Sequence, residues 1–179
     1  MRIERWVEIA DRERLFAQID HIFFESSNTK TFASEAERQA FRTRWLGRYL
    51  EHYPEWAYVA RTSDDEVAGY LVGSIVDPAK TPLFSDIGYF KDFAALTARY
   101  PAQLHVNLAP ERRGLGIGSR LMSAFATDLA RAVVPGVHVV TSRGVRNVSY
   151  YAANGFEEAG STMWNGRELV FLGRKLNGG

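Results

Sequence analysis

The chain has 179 residues, 46% of them apolar and 24% charged, with a formal net charge of +1 and no cysteine. This balance fits a globular protein with a sizeable core, and it excludes disulfides, thiolate metal sites and cysteine nucleophiles. Near-zero charge argues against a polybasic nucleic-acid binder, so any anion site must be a local concentration of donors.

The N-terminal MRIERWVEIADRER lacks a signal-peptide core, and no run reaches the roughly 18 apolar residues of a membrane span. A cytoplasmic protein of one domain over residues 1–179 is expected, working with neither membrane nor nucleic acid. The segment RIERWVEIA (2–10) alternates apolar Ile3, Val7 and Ile9 with charge and predicts a half-buried strand. Asp11 then stands where it would cap a helix running to about Ser26, with Leu15, Phe16, Ile19, Ile22 and Phe23 on one face. Ser34 and Glu37 have capping-box spacing and open a second helix over 34–53, whose stripe is Phe41, Trp45, Leu46 and Tyr49.

WAYVARTS (56–63) and EVAGYLVGSIV (66–76) predict an antiparallel hairpin turning at Asp64 and Asp65. Residues 77–103 read as an irregular connection with a short helix near 91–99. LHVNLA (104–109) is a strand, followed by a glycine-rich loop and a helix to about Val134, on which Leu121, Phe125, Leu129 and Val133 recur every four residues. A strand at 137–142, a helix at 145–153 and a last strand at 169–176 complete the order, with a solvated tail beyond. The fold class is α/β, or mixed α+β: a mixed central sheet with helices on both faces.

The loop PERRGLGIGSRLM (110–122) carries the chemistry. A strand that enters a Gly-rich turn and then a helix leaves backbone N–H groups unpaired where the helix dipole favours an anion. Glycines let an anion touch the backbone, and Arg112, Arg113 and Arg120 would add charge-assisted contacts. The plainer alternative is a surface turn with solvated arginines. Known nucleotide loops fail on the letters. No lysine follows the glycines, as a P-loop requires, and the third glycine of a dinucleotide loop falls on Ser119 or Leu121.

The pattern that fits is Arg-x-x-Gly-x-Gly from Arg113 through Gly116 to Gly118, after a strand ending Leu108-Ala109-Pro110 and some thirty residues before YYAANGF (150–156). On these motifs the sequence resembles the GNAT superfamily of acyl-CoA-dependent N-acetyltransferases. A narrower likeness lies in ARYPAQLHVNLAPERRGLGIGSRL, which is similar to the acetyltransferase-like domain appended to some O-GlcNAc hydrolases. Those proteins usually carry an acidic residue where this chain has Asn107.

The resemblance implies acetyl-CoA as co-substrate and a small-molecule or peptide amine as acceptor. It places Val106, Asn107 and Leu108 along the pantetheine arm through main-chain groups. It also wraps the pyrophosphate with Arg113, Gly114, Leu115, Gly116, Ile117, Gly118 and Ser119. Tyr151 takes the position of the family's usual general acid, with Tyr150 beside it; packing is the alternative role for Tyr151. The family commonly has Asn seven residues before that tyrosine and Ala four before it. Here those positions hold Gly144 and Asn147, and Asn147 or Arg143 would substitute for the missing amide.

No motif assigns a base, and no residue pattern points to a metal. His105 and Asn107 share one side of their strand, because strand side chains alternate. His105 is a candidate base, with a structural histidine bonded to a carbonyl as the equal alternative. Glu25, Asp86 and Asp92 are further candidates for the base. Trp45, Trp56 and Phe41 read as packing residues. Phe23, Phe24, Phe84, Tyr89 and Phe90 are either packing residues or walls of an acceptor pocket. A catalytically weak acyl-CoA-binding module is the competing function, and a homodimer is left open.

Overall fold

A computed structural model describes residues 1–145 and 147–176, in the strand order β1-β2-β3-β4-β5-β7-β6 of a seven-stranded mixed sheet. Its contacts divide the chain into two units: Met1–Ser74 with His105–Phe125, and Ile75–Leu104 with residues from Ala126 onward.

In the first unit, β1 (Arg2–Arg5) pairs antiparallel with β2 (Ala57–Arg61), which pairs antiparallel with β3 (Val67–Ser74). All residues of β2 and β3 are buried, so these strands are apolar on both faces and do not alternate. The turn between them closes with the Glu66 N–H on the Thr62 hydroxyl at 3.2 Å and Asp65 at φ +67°. Arg61, buried at the end of β2, is paired with Glu4 at 3.2 Å and Asp65 at 2.7 Å.

The expected first strand is shorter than 2–10. It gives way at Trp6 to a 3-10 turn (Trp6–Glu8), and Val7 is exposed. Asp11 caps nothing. A 3-10 turn (Arg12–Leu15) precedes α1 (Phe16–Ser26), and Phe16, expected on the buried face, lies at the surface edge-on to Trp6. The second helix begins as expected, with the Glu37 N–H on the Ser34 hydroxyl at 3.1 Å and the Ala33 N–H on the Glu37 carboxylate at 2.8 Å. It is not regular throughout: α2 (Glu35–Arg42) passes into a π-helical turn (Thr43–Gly47) and then α3 (Arg48–His52).

The second unit holds α4 (Ala94–Thr97), the start of β4 (Ala102–Leu108), β5 (Gly136–Ser142), α6 (Asn147–Ala153), β6 (Glu157–Trp164) and β7 (Arg167–Lys175). β4 and β5 are parallel, with Ala102 opposite Val137 and Gln103 opposite His138, while β5–β7 and β6–β7 are antiparallel. Aromatic rings fill the interior: Phe93 and Tyr100 lie 5.3 and 6.0 Å from Phe171, and Phe84 and Phe90 are buried.

β6 is absent from the expected elements. It is joined to β7 by Asn165 and Gly166, at φ +49° and +74°, a two-residue turn that suits strand twist. The helix after the glycine loop, α5 (Ile117–Arg131), ends earlier than Val134. Val133, expected on its apolar stripe, has φ +57° and is 79% exposed. The expected tail at 177–179 lies outside the described residues.

Candidate active site

β4 enters the first unit at His105 and is brought close to β3 by the lack of a side chain at Gly69. A Cβ there would meet the Leu108 Cδ2 at 2.4 Å and the Asn107 carbonyl oxygen at 2.8 Å. The Ala109 N–H then bonds the Ala68 carbonyl at 3.0 Å, and Pro110 ends the strand, where its missing donor does no harm. A 3-10 turn (Pro110–Arg112) leads into the glycines.

Gly114 and Gly116 have φ +77° and +74°, the left-handed region that other residues enter only with strain. A Cβ on either would meet nothing within 4 Å, so conformation rather than crowding demands these glycines, and the backbone faces open space. The Arg120 N–H bonds the Gly116 carbonyl at 3.1 Å and starts α5. The N–H groups of Ile117, Gly118 and Ser119 thus have no intrahelical acceptor, at the positive end of a helix of 15 residues. Leu115 projects outward, 63% exposed, while Ile117 is buried and anchors the helix. The Arg113 guanidinium reaches the Ser26 hydroxyl at 3.3 Å, and Arg112 stands 3.7 Å from Glu66. The donor set, open backbone N–H groups with a cation beside them, is chemically suited to a pyrophosphate.

His105 is half-buried on β4, its Nε2 3.0 Å from the hydroxyl of fully buried Tyr49 and its ring edge-on to Trp45 at 5.7 Å. One of its partners is therefore a side-chain hydroxyl. Asn107, two residues on, donates its amide to the hydroxyl of buried Tyr70 at 2.9 Å, and burial pushes the Tyr70 phenol well above its ordinary pKa. Val106 and Leu108 alternate with these two along the half-buried end of the strand.

Beside α1 and α2 in the same unit lies an open cavity of about 380 Å³, lined among others by Phe24, Glu25, Thr29, Lys30, Phe32 and Arg38. Lys30 is committed to the α1 C-terminus, bonding the Phe24 and Glu25 carbonyls at 3.0 and 2.8 Å. Arg38 lies over the Phe24 ring at 3.7 Å and pairs with Glu35 at 3.4 Å. Of the aromatic residues left open by the sequence, Phe23, Phe84, Tyr89 and Phe90 are core, whereas Phe24 lines this cavity.

In the second unit, Tyr151 on α6 is buried, packed against Tyr150 at 5.4 Å and Phe156 at 5.5 Å between ring centroids. Burial raises its phenol well above the ordinary tyrosine value, so it keeps its proton at neutral pH. Asn147 is exposed at the first position of α6 and accepts a hydrogen bond from Thr141 at 3.1 Å. Arg143 is tied to Glu158 at 2.6 Å and Glu168 at 2.7 Å, which commits it to a surface ion network. Asp92 accepts from Thr162 at 3.1 Å, and Asp86 and Glu25 are exposed.

What the sequence did not show is Tyr49 as the partner of His105. Its place on the apolar stripe was legible; its hydroxyl bond depends on a π-helical turn that has no sequence signature in this stretch. Among the described residues, no group of three or more His, Asp or Glu could hold a metal ion, and no helix is long and apolar enough to cross a membrane.

A family model for the acetyltransferase (GNAT) family matches residues 17–156. Among solved structures, SsHAT is similar over 98% of both chains, at 19% identity and a TM-score of 0.72. The ribosomal-protein-alanine N-acetyltransferase from Brucella melitensis is similar over 98% of this chain and 100% of its own, at 20% identity and 0.62. The NatC complex bound to Gag peptide and CoA aligns over 99% and 100%, at 17% identity and 0.64. At such identities the likeness establishes the fold.

Proposed function

The chain belongs to the GNAT acetyltransferase family, and on that premise we propose that it is an enzyme that moves the acetyl group of acetyl-CoA directly to a primary amine. The observation that carries the reading is the loop ahead of α5. Its glycines are held at positive φ with open space beside them, and three N–H groups at the helix start have no intrahelical acceptor. Arg113 to Ser119 hold the pyrophosphate there, and the main chain of Val106, Asn107 and Leu108 lies along the pantetheine. CoA in the NatC structure supports the co-substrate by analogy.

Bound acetyl-CoA supplies an activated acetyl thioester. The chain's own residues then have two proton tasks. His105 takes the proton that makes the acceptor amine neutral and nucleophilic. By the family resemblance, Tyr151, kept protonated by burial, gives a proton to the departing CoA thiolate, and the proton that the nitrogen loses as the amide forms restores it. The cavity by α1 and α2 holds the acceptor: Phe24 and Phe32 offer apolar walls, and Glu25 offers a negative charge while both nearby cations are engaged. A cationic amine with an apolar body fits that lining.

One observation favours a slower protein. Asn107 is a neutral amide bonded to Tyr70, where the acetyltransferase-like domains that it resembles usually carry an acid, so deprotonation of the acceptor leans on His105. The test is release of the CoA thiol from acetyl-CoA across a panel of primary amines, in the wild type and in Gly116→Asp. The proposal expects amine-dependent release in the wild type and none in the variant, which sets a side chain and a negative charge on the phosphate cradle. Equal release in both proteins rejects the loop, and no release in either rejects the transferase.

A further inference from the structure

Between α2 and α3 the helix is wound as π over Thr43–Gly47, with the Arg48 N–H reaching the Thr43 carbonyl five residues back. Such turns are rare and recur at functional sites because they reposition side chains on an otherwise regular helix. Here Trp45 inside the turn and Tyr49 just after it both meet one side chain, His105, at ring-centroid distances of 5.7 and 5.2 Å. Tyr49 is fully buried, and its hydroxyl stands 3.0 Å from the His105 Nε2.

We propose that Tyr49 is the positioning residue of the proton-accepting histidine, fixing the His105 ring and following its change of charge; this rests on the transferase reading above. The chemistry lies in the partner. A hydroxyl donates to Nε2 when the ring is neutral with its proton on Nδ1, and it accepts from Nε2–H when the ring is an imidazolium. The second arrangement is charge-assisted and the stronger of the two. A buried phenol has no water ready to replace it, so its removal leaves the charged ring without this acceptor. Trp45, edge-on, stops the imidazole from turning away. The other ionisable groups on the π turn, α3 and β3 are Arg44, Arg48, Glu51, His52 and Tyr70, and the Asp20–Arg42 pair acts on Tyr70. All of these are unchanged in a Tyr49→Phe protein.

The experiment is Tyr49→Phe, which keeps the buried ring and removes only the hydroxyl. It is read by kinetics with acetyl-CoA and an amine, and by NMR titration of the imidazole C–H signals. The expected result has three parts. kcat falls by about tenfold or more, and KM for acetyl-CoA is unchanged. The acidic limb of the pH profile moves to lower pH by about half a unit to one unit. The His105 titration moves with it. An unchanged kcat and profile overturns the proposal, as does a parallel loss of kcat and acetyl-CoA affinity with His105 titrating as in the wild type. If the wild type acetylates no amine, the NMR arm still decides. A shifted His105 titration upholds the pairing and places the failure on the transferase reading, whereas an unshifted one overturns the pairing itself.

Discussion

His105 on β4 and His138 on β5 are both strand histidines that hydrogen-bond a tyrosine residue, yet the two settings allow different chemistry. His138 is fully buried, stacked on Phe171 at 4.6 Å, and its Nδ1–H donates to the backbone carbonyl of Tyr100 at 2.5 Å. A carbonyl can only accept, so the tautomer is fixed, and burial holds the ring neutral with a pKa of about 4 despite the opposing hydrogen bond to Tyr100 and the charge of Asp77. His105 is only half-buried and faces the side-chain hydroxyl of Tyr49, which can donate or accept. The first arrangement locks a proton in place; the second lets one move. On the proposed reading, the partner atom and the exposure, more than the residue type, set the two histidines apart.

That contrast is breakable by substitution. His105→Ala should lower kcat/KM by about 10²- to 10⁴-fold, the usual worth of a positioned base, while thermal stability changes little. A full-speed His105→Ala enzyme would return His105 to the structural class. Tyr151→Phe should lower kcat by about 10²-fold with acetyl-CoA affinity kept, measured by steady-state kinetics beside calorimetry. Unchanged kcat would make Tyr151 a packing residue against Phe156.

His138→Ala should do the reverse of His105→Ala. It removes a stacked ring and strands the Tyr100 carbonyl, costing about 3 kcal/mol, which denaturant unfolding would read as a lower midpoint. Acetyl-CoA binding by the protein that remains folded should be kept.

The smallest effect is in pH. The folded pKa of His138 lies near 4, below the ordinary 6.5, so the unfolded chain binds more protons across that interval. Its contribution to stability is whole above about pH 6.5 and declines as pH falls towards 4. Replacing His138 by Gln should flatten the stability curve in that window, and an identical curve would remove His138 as the acid-sensitive group.

Much of this was legible before any coordinates. The Ser34 cap, the β2–β3 hairpin and the loop into α5 are local devices, written within a few residues of where they act. The failures have physical causes. β6 is an edge strand whose residues are mostly exposed, so it shows no apolar pattern, and its one local signal, the Asn165-Gly166 turn, went unread. Val133 continued the spacing of the α5 stripe, but the chain turns left-handed there before Pro135. At the site, Gly114, Gly116 and His105 were visible because backbone conformation and strand alternation are sequence properties. The Tyr49–His105 bond spans 56 residues and a π-helical turn, and neither leaves a local trace.

The most direct test of the central claim is calorimetric titration of the protein with acetyl-CoA, with NADPH as the control nucleotide. One-to-one micromolar binding of acetyl-CoA and none of NADPH is the predicted result, since the open glycine backbone would then be holding a CoA pyrophosphate. Absence of acetyl-CoA binding, or equal binding of both nucleotides, would contradict it.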